Sequence, residues 1–292
     1  MADFLAAYSI QSWLESCPQG YLEDTQFGHE ARAREPEFVI EDPLLREQAI
    51  SLTVQLVAGE RCALAASSGL INCAPDMPSK IFLATQTLDE ARHVEVFTQR
   101  LYDLGVKPNE LEEVIARFAN PNLVKFAEIL LEKVDKRDFV AGVVGQNIVL
   151  EGMAFSVFEM LYAGMLQANP KFAATLSGTI ADERRHVGFG ENRIGSLIEE
   201  FPEKKAEVQK MQKEMSHYML ATFADRFRDR GAMAEREKML AMEGAESVEH
   251  AKWQGVDITE ASPEELQAHL SNVVLNEFKV RLARIGLEYQ AP

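Results

Sequence analysis

Two near-copies of one pentapeptide, Asp89-Glu90-Ala91-Arg92-His93 and Asp182-Glu183-Arg184-Arg185-His186, are the residues of this chain best placed to do chemistry. Glu and His at i and i+3 leave a helix from one face, so each copy can present a carboxylate oxygen and an imidazole nitrogen to one metal ion. An isolated glutamate precedes the glutamate of each copy, Glu60 by 30 residues and Glu151 by 32. With one carboxylate on each of two further helices, the set is that of a carboxylate-bridged dimetal site, and Glu60 and Glu151 are the candidates for the bridging oxygens. The predicted ligands are therefore Glu60, Glu90, His93, Glu151, Glu183 and His186. One Glu-x-x-His alone carries little; two copies with the same Asp before the Glu and the same Arg before the His carry much more.

The residues beside the ligands have work of their own. Asp89 and Asp182 point to a neighbouring helix face, where each can accept the free ring N–H of the histidine on the opposite motif helix, fixing its tautomer and raising its basicity. Arg92 and Arg185 are placed to pair with those aspartates. Four ionised carboxylates balance two divalent ions, and mixed oxygen and nitrogen ligation suits iron or manganese better than structural zinc, which more often recruits thiolates. Iron at both positions is the first expectation and a Mn/Fe pair the alternative. Cys62, two residues after Glu60, points away from it and reads as a small core residue. A third Glu-x-x-His, Glu214 and His217, lies in a charged run and reads as a solvated face.

Helices must position these groups. Ile50, Val54, Val57, Glu60 and Leu64 fall on one stripe at steps of three and four, predicting a helix from Asp42-Pro43 to about Ala74. A second helix, from about Ser79 to Leu104, is closed by Gly105 and carries Leu83, Thr87, Glu90, His93, Phe97 and Leu101 inward. After a mixed stretch containing Pro121, a third runs from about Lys136 to Gln167 with Val140, Val144, Asn147, Glu151, Phe155, Phe158 and Tyr162 on one face. Asn169-Pro170 opens a fourth, which runs to about Glu200. Pro202 opens a fifth, the charged stretch from Glu235 to Lys252 reads as helical, and Ser262-Pro263-Glu264-Glu265 reads as the cap and first turn of a last helix. Residues 1 to about 42 read as an irregular lead-in. Strands and helices do not alternate, so the class is all-α, and no linker divides the 292 residues into separate domains.

A formal charge of −16 argues against nucleic acid or an anionic membrane surface as partner, because both require a basic face. Cys17, Cys62 and Cys73 are too few for a disulfide framework, and no basic region leads an apolar run at the N-terminus. A cytoplasmic protein without a membrane span is expected.

From about residue 45 to 200 the chain resembles the ferritin-like dimetal carboxylate superfamily, and more closely the ligand-binding oxidases related to the small subunit of class I ribonucleotide reductase. Leu88 to Phe97, Asn147 to Gly152 and Asp182 to Gly190 carry the resemblance. It implies a ferritin-like four-helix bundle core over about 44–200 with additional helices over about 202–288, the same six ligands, an electron donor and a homodimer. The departures from the pattern narrow what it implies. Reductase small subunits usually store a radical on a Tyr four residues after the first motif histidine, and Phe97 stands there. Oxidases with an ether cross-link join a Val and a Tyr at the positions of Cys62 and Gln146. Arylamine N-oxygenases add a histidine where Thr179 stands, and multicomponent monooxygenases a Thr where Phe155 stands.

The leading expectation is an O2-dependent oxidase or oxygenase acting on a hydrophobic small organic substrate, with Phe97, Phe155, Phe158, Val144 and Leu101 lining an apolar pocket beside the metals. A ferroxidase or iron-handling protein, and a radical-generating subunit serving a partner, are the alternatives.

Overall fold

The computed structural model describes residues 35–228, 252–258 and 260–290, with residues 231 and 234. The lead-in to residue 34 and the charged stretch beginning at Glu235, except Lys252, lie outside the described residues, as do His29 and His250.

Local chemistry sets the starts of the long helices. A short helix α1 (Glu37–Glu41) leads to α2 (Pro43–Ile71). Asp42 caps α2, its carboxylate accepting the backbone N–H of Leu44 at 3.0 Å and of Leu45 at 3.1 Å, and Pro43 stands at a first-turn position where no N–H is needed. Helix α3 (Met77–Asp103) starts two residues before the expected Ser79, because Asp76 caps it through the Ser79 N–H at 2.8 Å and Pro78 is tolerated in the first turn. Gly105, at φ 93°, takes the left-handed conformation that closes it.

Two helices occupy the stretch that read as mixed: α4 (Leu111–Phe118) and α5 (Pro121–Asp135). Pro121 is the first residue of α5, not a break within it. Asn120 caps that helix, and Leu123, Phe126, Leu130 and Val134 bury its apolar stripe.

The expected third helix is three segments in succession: α6 (Phe139–Val143), a π-helical turn (Val144–Leu150) and α7 (Glu151–Ala168). All seven residues of the π turn are buried. Its glycine permits the approach of neighbouring helices: a Cβ on Gly145 would meet Leu130 Cδ1 at 2.7 Å and Met215 Sδ at 2.8 Å. Helix α8 (Pro170–Glu200) is capped by Asn169, a 3-10 turn (Pro202–Lys204) leads into α9 (Lys205–Arg228), and α10 (Pro263–Arg284) begins in a reciprocal capping box between Ser262 and Glu265. A two-residue antiparallel hairpin, β1 (Lys252–Trp253) and β2 (Val256–Asp257), is the exception to all-helical structure among the described residues.

Helix α2 lies along α3 and α7 along α8, so the core is two helical hairpins, each bringing a single-glutamate helix against a motif helix. Helix α5 packs on α2 and α9, α9 covers the π turn, and α10 covers α7. The segments Pro43–Ile71 and Phe139–Leu166 are long and apolar enough to cross a membrane by length and composition; in the fold both line the bundle, with Glu60 and Glu151 on their buried faces. Two apolar clusters fill the interior. One holds Ala63, Ala66, Leu70, Leu83, Val144 and Ile148, the other Val57, Phe97, Leu101, Phe155, Phe158 and Leu176. The polar layer between them contains every predicted ligand.

Candidate metal centre

Glu60 from α2, Glu90 and His93 from α3, Glu151 from the first turn of α7, and Glu183 and His186 from α8 meet in the middle of the bundle, each buried. Their ligand atoms form two overlapping groups able to hold an ion, Glu60, Glu90, His93 and Glu183 in one and Glu90, Glu151, Glu183 and His186 in the other, with all atoms of a group within 4.8 Å of one another. Around His93 Nδ1 stand Glu60 Oε2 at 3.3 Å, Glu90 Oε2 at 3.4 Å and Glu183 Oε1 at 3.5 Å. Around His186 Nδ1 stand Glu90 Oε1 at 3.3 Å, Glu183 Oε2 at 3.5 Å and Glu151 Oε1 at 3.6 Å.

The two motif glutamates each turn one oxygen to each histidine, so they are the bridging candidates. The expectation that Glu60 and Glu151 bridge is corrected: each belongs to one group only. The reason is positional. Helices α3 and α8 meet across the centre, so the glutamate of each lies near both histidines, its own and that of the opposite helix.

The outer ring nitrogens are engaged across the bundle. His93 Nε2 lies 3.1 Å from Asp182 Oδ2 and His186 Nε2 lies 3.2 Å from Asp89 Oδ2. Arg185 donates to both aspartates, at 2.9 Å to Asp89 and 2.6 Å to Asp182, while Arg92 lies 3.3 Å from Asp182 and 3.7 Å from Asp89. With each Nε2 held by a carboxylate, each Nδ1 faces inward, and on losing its proton to an incoming cation it presents the lone pair a metal ligand requires.

The charges conflict unless a cation is present. Burial pushes Glu60 up to about 8, outweighing the pull of His93, and burial together with Glu183 pushes Glu151 well above the carboxylate range. Burial would also raise Glu90, but His93, whose Nδ1 lies 3.4 Å away, and the charge of His186 hold it at about 2. Burial opposes a charge on His93 as well, yet Glu60, 3.3 Å from Nδ1, and the contact of Nε2 with Asp182 raise it well above its ordinary value. Protons on the imidazoles and on Glu60 and Glu151 thus stand in for the positive charge that four buried carboxylates demand. The donor set fits a pair of divalent ions: Glu90 Oε2, His93 Nδ1, Glu183 Oε2 and His186 Nδ1 are buried, point into the cluster and have no hydrogen-bond partner.

Sequence reasoning missed an amide cluster around Glu151. Gln86 Nε2 donates to Glu151 Oε1 at 2.7 Å and Gln146 Nε2 to the same oxygen at 2.9 Å, while Asn147 Nδ2 donates to Glu151 Oε2 at 3.0 Å and to Gln86 Oε1 at 3.0 Å. Gln86 and Asn147 precede Glu90 and Glu151 by four residues, a spacing that puts them on the ligand face and could have flagged them. Gln146 lies five residues before Glu151 and reaches it because the π turn bonds the Glu151 N–H to the Gln146 carbonyl.

The expected apolar pocket is corrected at one position. Phe97, Leu101, Phe155 and Phe158 share one cluster, but Val144 belongs to the other, on the far side of the ligand layer. The ring of Phe155 also lies under cations, Arg281 at 5.1 Å and Arg184 at 5.7 Å from its centre. Cys62 is buried in the same cluster as Val144, its thiol pushed up to about 12 by burial and by Glu90 and Glu151, and it joins neither ligand group. Glu214 and His217 are exposed on α9.

No family model matches the chain, and a sequence comparison with curated proteins finds no match. Among solved structures the fold is similar to variants of an R2-like ligand-binding oxidase with aerobically reconstituted Mn/Fe cofactor. One is 17% identical with a TM-score of 0.63, covering 82% of this chain and 81% of that one. Two more are each 15% identical, with TM-scores of 0.61 and 0.60, covering 83% of this chain and 81% of theirs. The chain therefore has the ferritin-like helical fold of that type.

Proposed function

We propose that the protein is a dimetal carboxylate oxidoreductase that uses O2 to oxidise a hydrophobic small organic molecule. The observation that carries the reading is the doubled ligand group with Glu90 and Glu183 common to both halves, since two shared carboxylates hold two ions within reach of one small ligand. Glu60 and His93 would hold one ion, Glu151 and His186 the other. Iron at both positions and a Mn/Fe pair both suit these donors, and the Mn/Fe cofactor of the structurally similar oxidase supports the second. Such a pair, when bound and reduced, supplies the electrons for O2 reduction and an oxidant strong enough to remove hydrogen from carbon.

The chain's own residues do the rest. Asp89 and Asp182 hold the histidines with Nδ1 inward, and Arg92 and Arg185 pair with those aspartates and fix their positions. Phe97, Leu101, Phe155 and Phe158 keep water from one side of the ligand layer and offer hydrocarbon contact. Phe97, one turn past His93, has no oxidisable hydroxyl, which supports oxidation of a bound molecule over storage of a tyrosyl radical for a partner.

The test combines metal analysis with O2 uptake. Protein reconstituted anaerobically and then exposed to O2 should hold two ions, give no persistent tyrosyl signal in electron paramagnetic resonance, and consume O2 in proportion to an added hydrophobic compound. Phe158→Asp should abolish that dependence while retaining both ions. If uptake tracks only ferrous iron and a mineral core forms, the protein handles iron and the oxidase reading fails.

A further inference from the structure

Glu151 and Glu60 are counterparts in the two ligand groups, but their surroundings differ in a way that can be counted in lone pairs. A carboxylate offers about four acceptor directions, two on each oxygen. On Glu151, Oε1 is the oxygen that faces His186, and both of its directions are taken, by Gln86 Nε2 at 2.7 Å and Gln146 Nε2 at 2.9 Å. Oε2 accepts Asn147 Nδ2 at 3.0 Å and keeps one direction. The amides are not free to drift: Asn147 Nδ2 also bonds Gln86 Oε1 at 3.0 Å and the His186 carbonyl at 3.2 Å, and Gln86 Nε2 touches Glu90 Oε1 at 3.3 Å. Gln86, Gln146 and Asn147 are fully buried, so a displaced N–H finds no water. Among the described residues no side-chain amide reaches Glu60, which faces His93 at 3.3 Å.

We propose that Gln86, Gln146 and Asn147 form a carboxylate latch that makes the Glu151–His186 position the second and weaker of two metal positions, because an ion joining His186 there must displace an amide from Glu151 Oε1, whereas Glu60 is open to its ion. The three amides are positioning residues acting through Glu151. The inference rests on the dimetal reading and deepens it: the ions load in order, Glu60–His93 first.

Stepwise titration of the full-length, chelator-stripped protein with Mn(II) under anaerobic conditions tests it, read by calorimetry and by the resonance signal of free Mn(II). Two steps are expected. Glu151→Ala should delete the weaker and Glu60→Ala the tighter. Gln146→Leu removes one competing N–H, and because a hydrogen bond to a charged acceptor is worth about a factor of ten or more, the weaker step should tighten about tenfold with the tighter step unchanged. A merely structural role would weaken both steps. A second measurement does not depend on how the variant folds: in a crystal structure of the Mn(II)-loaded wild type, one of Gln86 or Gln146 should have left Oε1. The proposal is overturned if Gln146→Leu weakens or leaves unchanged the second step, if Glu60→Ala deletes the weaker step, or if both amides still donate to Oε1 with an ion on Glu151. Fewer than two ions bound at saturation would instead overturn the dimetal reading itself, and the latch with it.

Discussion

One helical turn from the ligands, the bundle interior differs completely between its two sides. On one side Val57, Phe97, Phe155 and Ile180 follow or precede the ligand glutamates and histidines by three or four residues and belong to an apolar cluster. On the other, Gln86, Asn147 and Gly190 occupy the corresponding positions, and the amides bond to the ligands themselves. A buried carboxylate layer tolerates both neighbours for different reasons. Hydrocarbon cannot compete for an oxygen lone pair, so it leaves the ligands available and excludes water; amides hold a carboxylate in place by occupying its lone pairs. Two copies of one motif therefore stand in unlike surroundings. The environment one turn away distinguishes them.

The comparison presupposes a ligand layer in which the motif glutamates serve both positions. Glu90→Ala or Glu183→Ala should then lose both ions, and Glu60→Ala or Glu151→Ala only one, measured as metal per chain by mass spectrometry. Loss of a single ion on removing Glu90 would break the symmetry on which the comparison is drawn.

Acid and base give the next largest effect. Glu60 is raised in the fold from 4.5 to about 8, so its ionisation costs folding free energy increasingly between those pH values. His93 is raised well above 6.5, so its contribution is fully present below 6.5 and is lost as pH rises through its folded value. Both signs agree, and the chelator-treated protein should melt at a lower temperature at pH 8 than at pH 5. Divalent ions require deprotonated ligands and should reverse that slope. A melting temperature that rises with pH in chelator would refute the charge balance drawn for the site.

On the apolar side, Phe97 is fully buried among Val57, Leu101 and Phe172, and Phe97→Ala should cost about 3–5 kcal/mol in chemical denaturation while leaving metal content at two. On the amide side, Gly190 lets Asn147 lie against α8: a Cβ there would stand 2.5 Å from Asn147 Cβ. Gly190→Ala should cost about 1–3 kcal/mol through overpacking and, by moving Asn147, disturb the ion beside Glu151 more than the one beside Glu60. An equal disturbance of both would show that the sides are not independent.

What the sequence disclosed and what it withheld follow the same division. The stripes through Glu60, Glu90, Glu151 and Glu183 were legible because a carboxylate inside a 3.6-residue apolar pattern has few explanations. Helix α5 is equally periodic in Leu123, Phe126, Leu130 and Val134, but its residues fall in the stretch read as mixed, where Pro121 is in fact the first residue of the helix. The π turn was not legible. Val140, Val144, Asn147 and Glu151 fit α-helical spacing, and the wider turn depends on α9 and α5 packing against Gly145. With it went the position of Val144, the approach of Gln146 to Glu151, and the asymmetry of the site. Which carboxylates bridge was withheld for a related reason, since spacing assigns a residue to a helix face but not to the space between two ions.

The smallest effect tests how the apolar side is closed. Asn169 caps α8, its side-chain carbonyl accepting the Phe172 N–H at 3.1 Å, and its amide donates to Glu35 Oε2 at 3.0 Å. Glu35 in turn receives Arg100 Nε at 2.8 Å, and the Arg100 guanidinium lies 3.5 Å over the Phe172 ring, a member of the apolar cluster. Asn169→Ala should cost about 1 kcal/mol for the lost cap, with metal content and the two-step loading unchanged, because nothing it touches reaches the amide side. Asn169→Asp keeps the capping oxygen but sets a second carboxylate against buried Glu35, so it should be the more damaging change despite the better cap. If Asn169→Asp is instead as stable as the wild type, Glu35 and Arg100 do not hold the chain before α1 against the apolar side, and that side is closed by the aromatic residues alone.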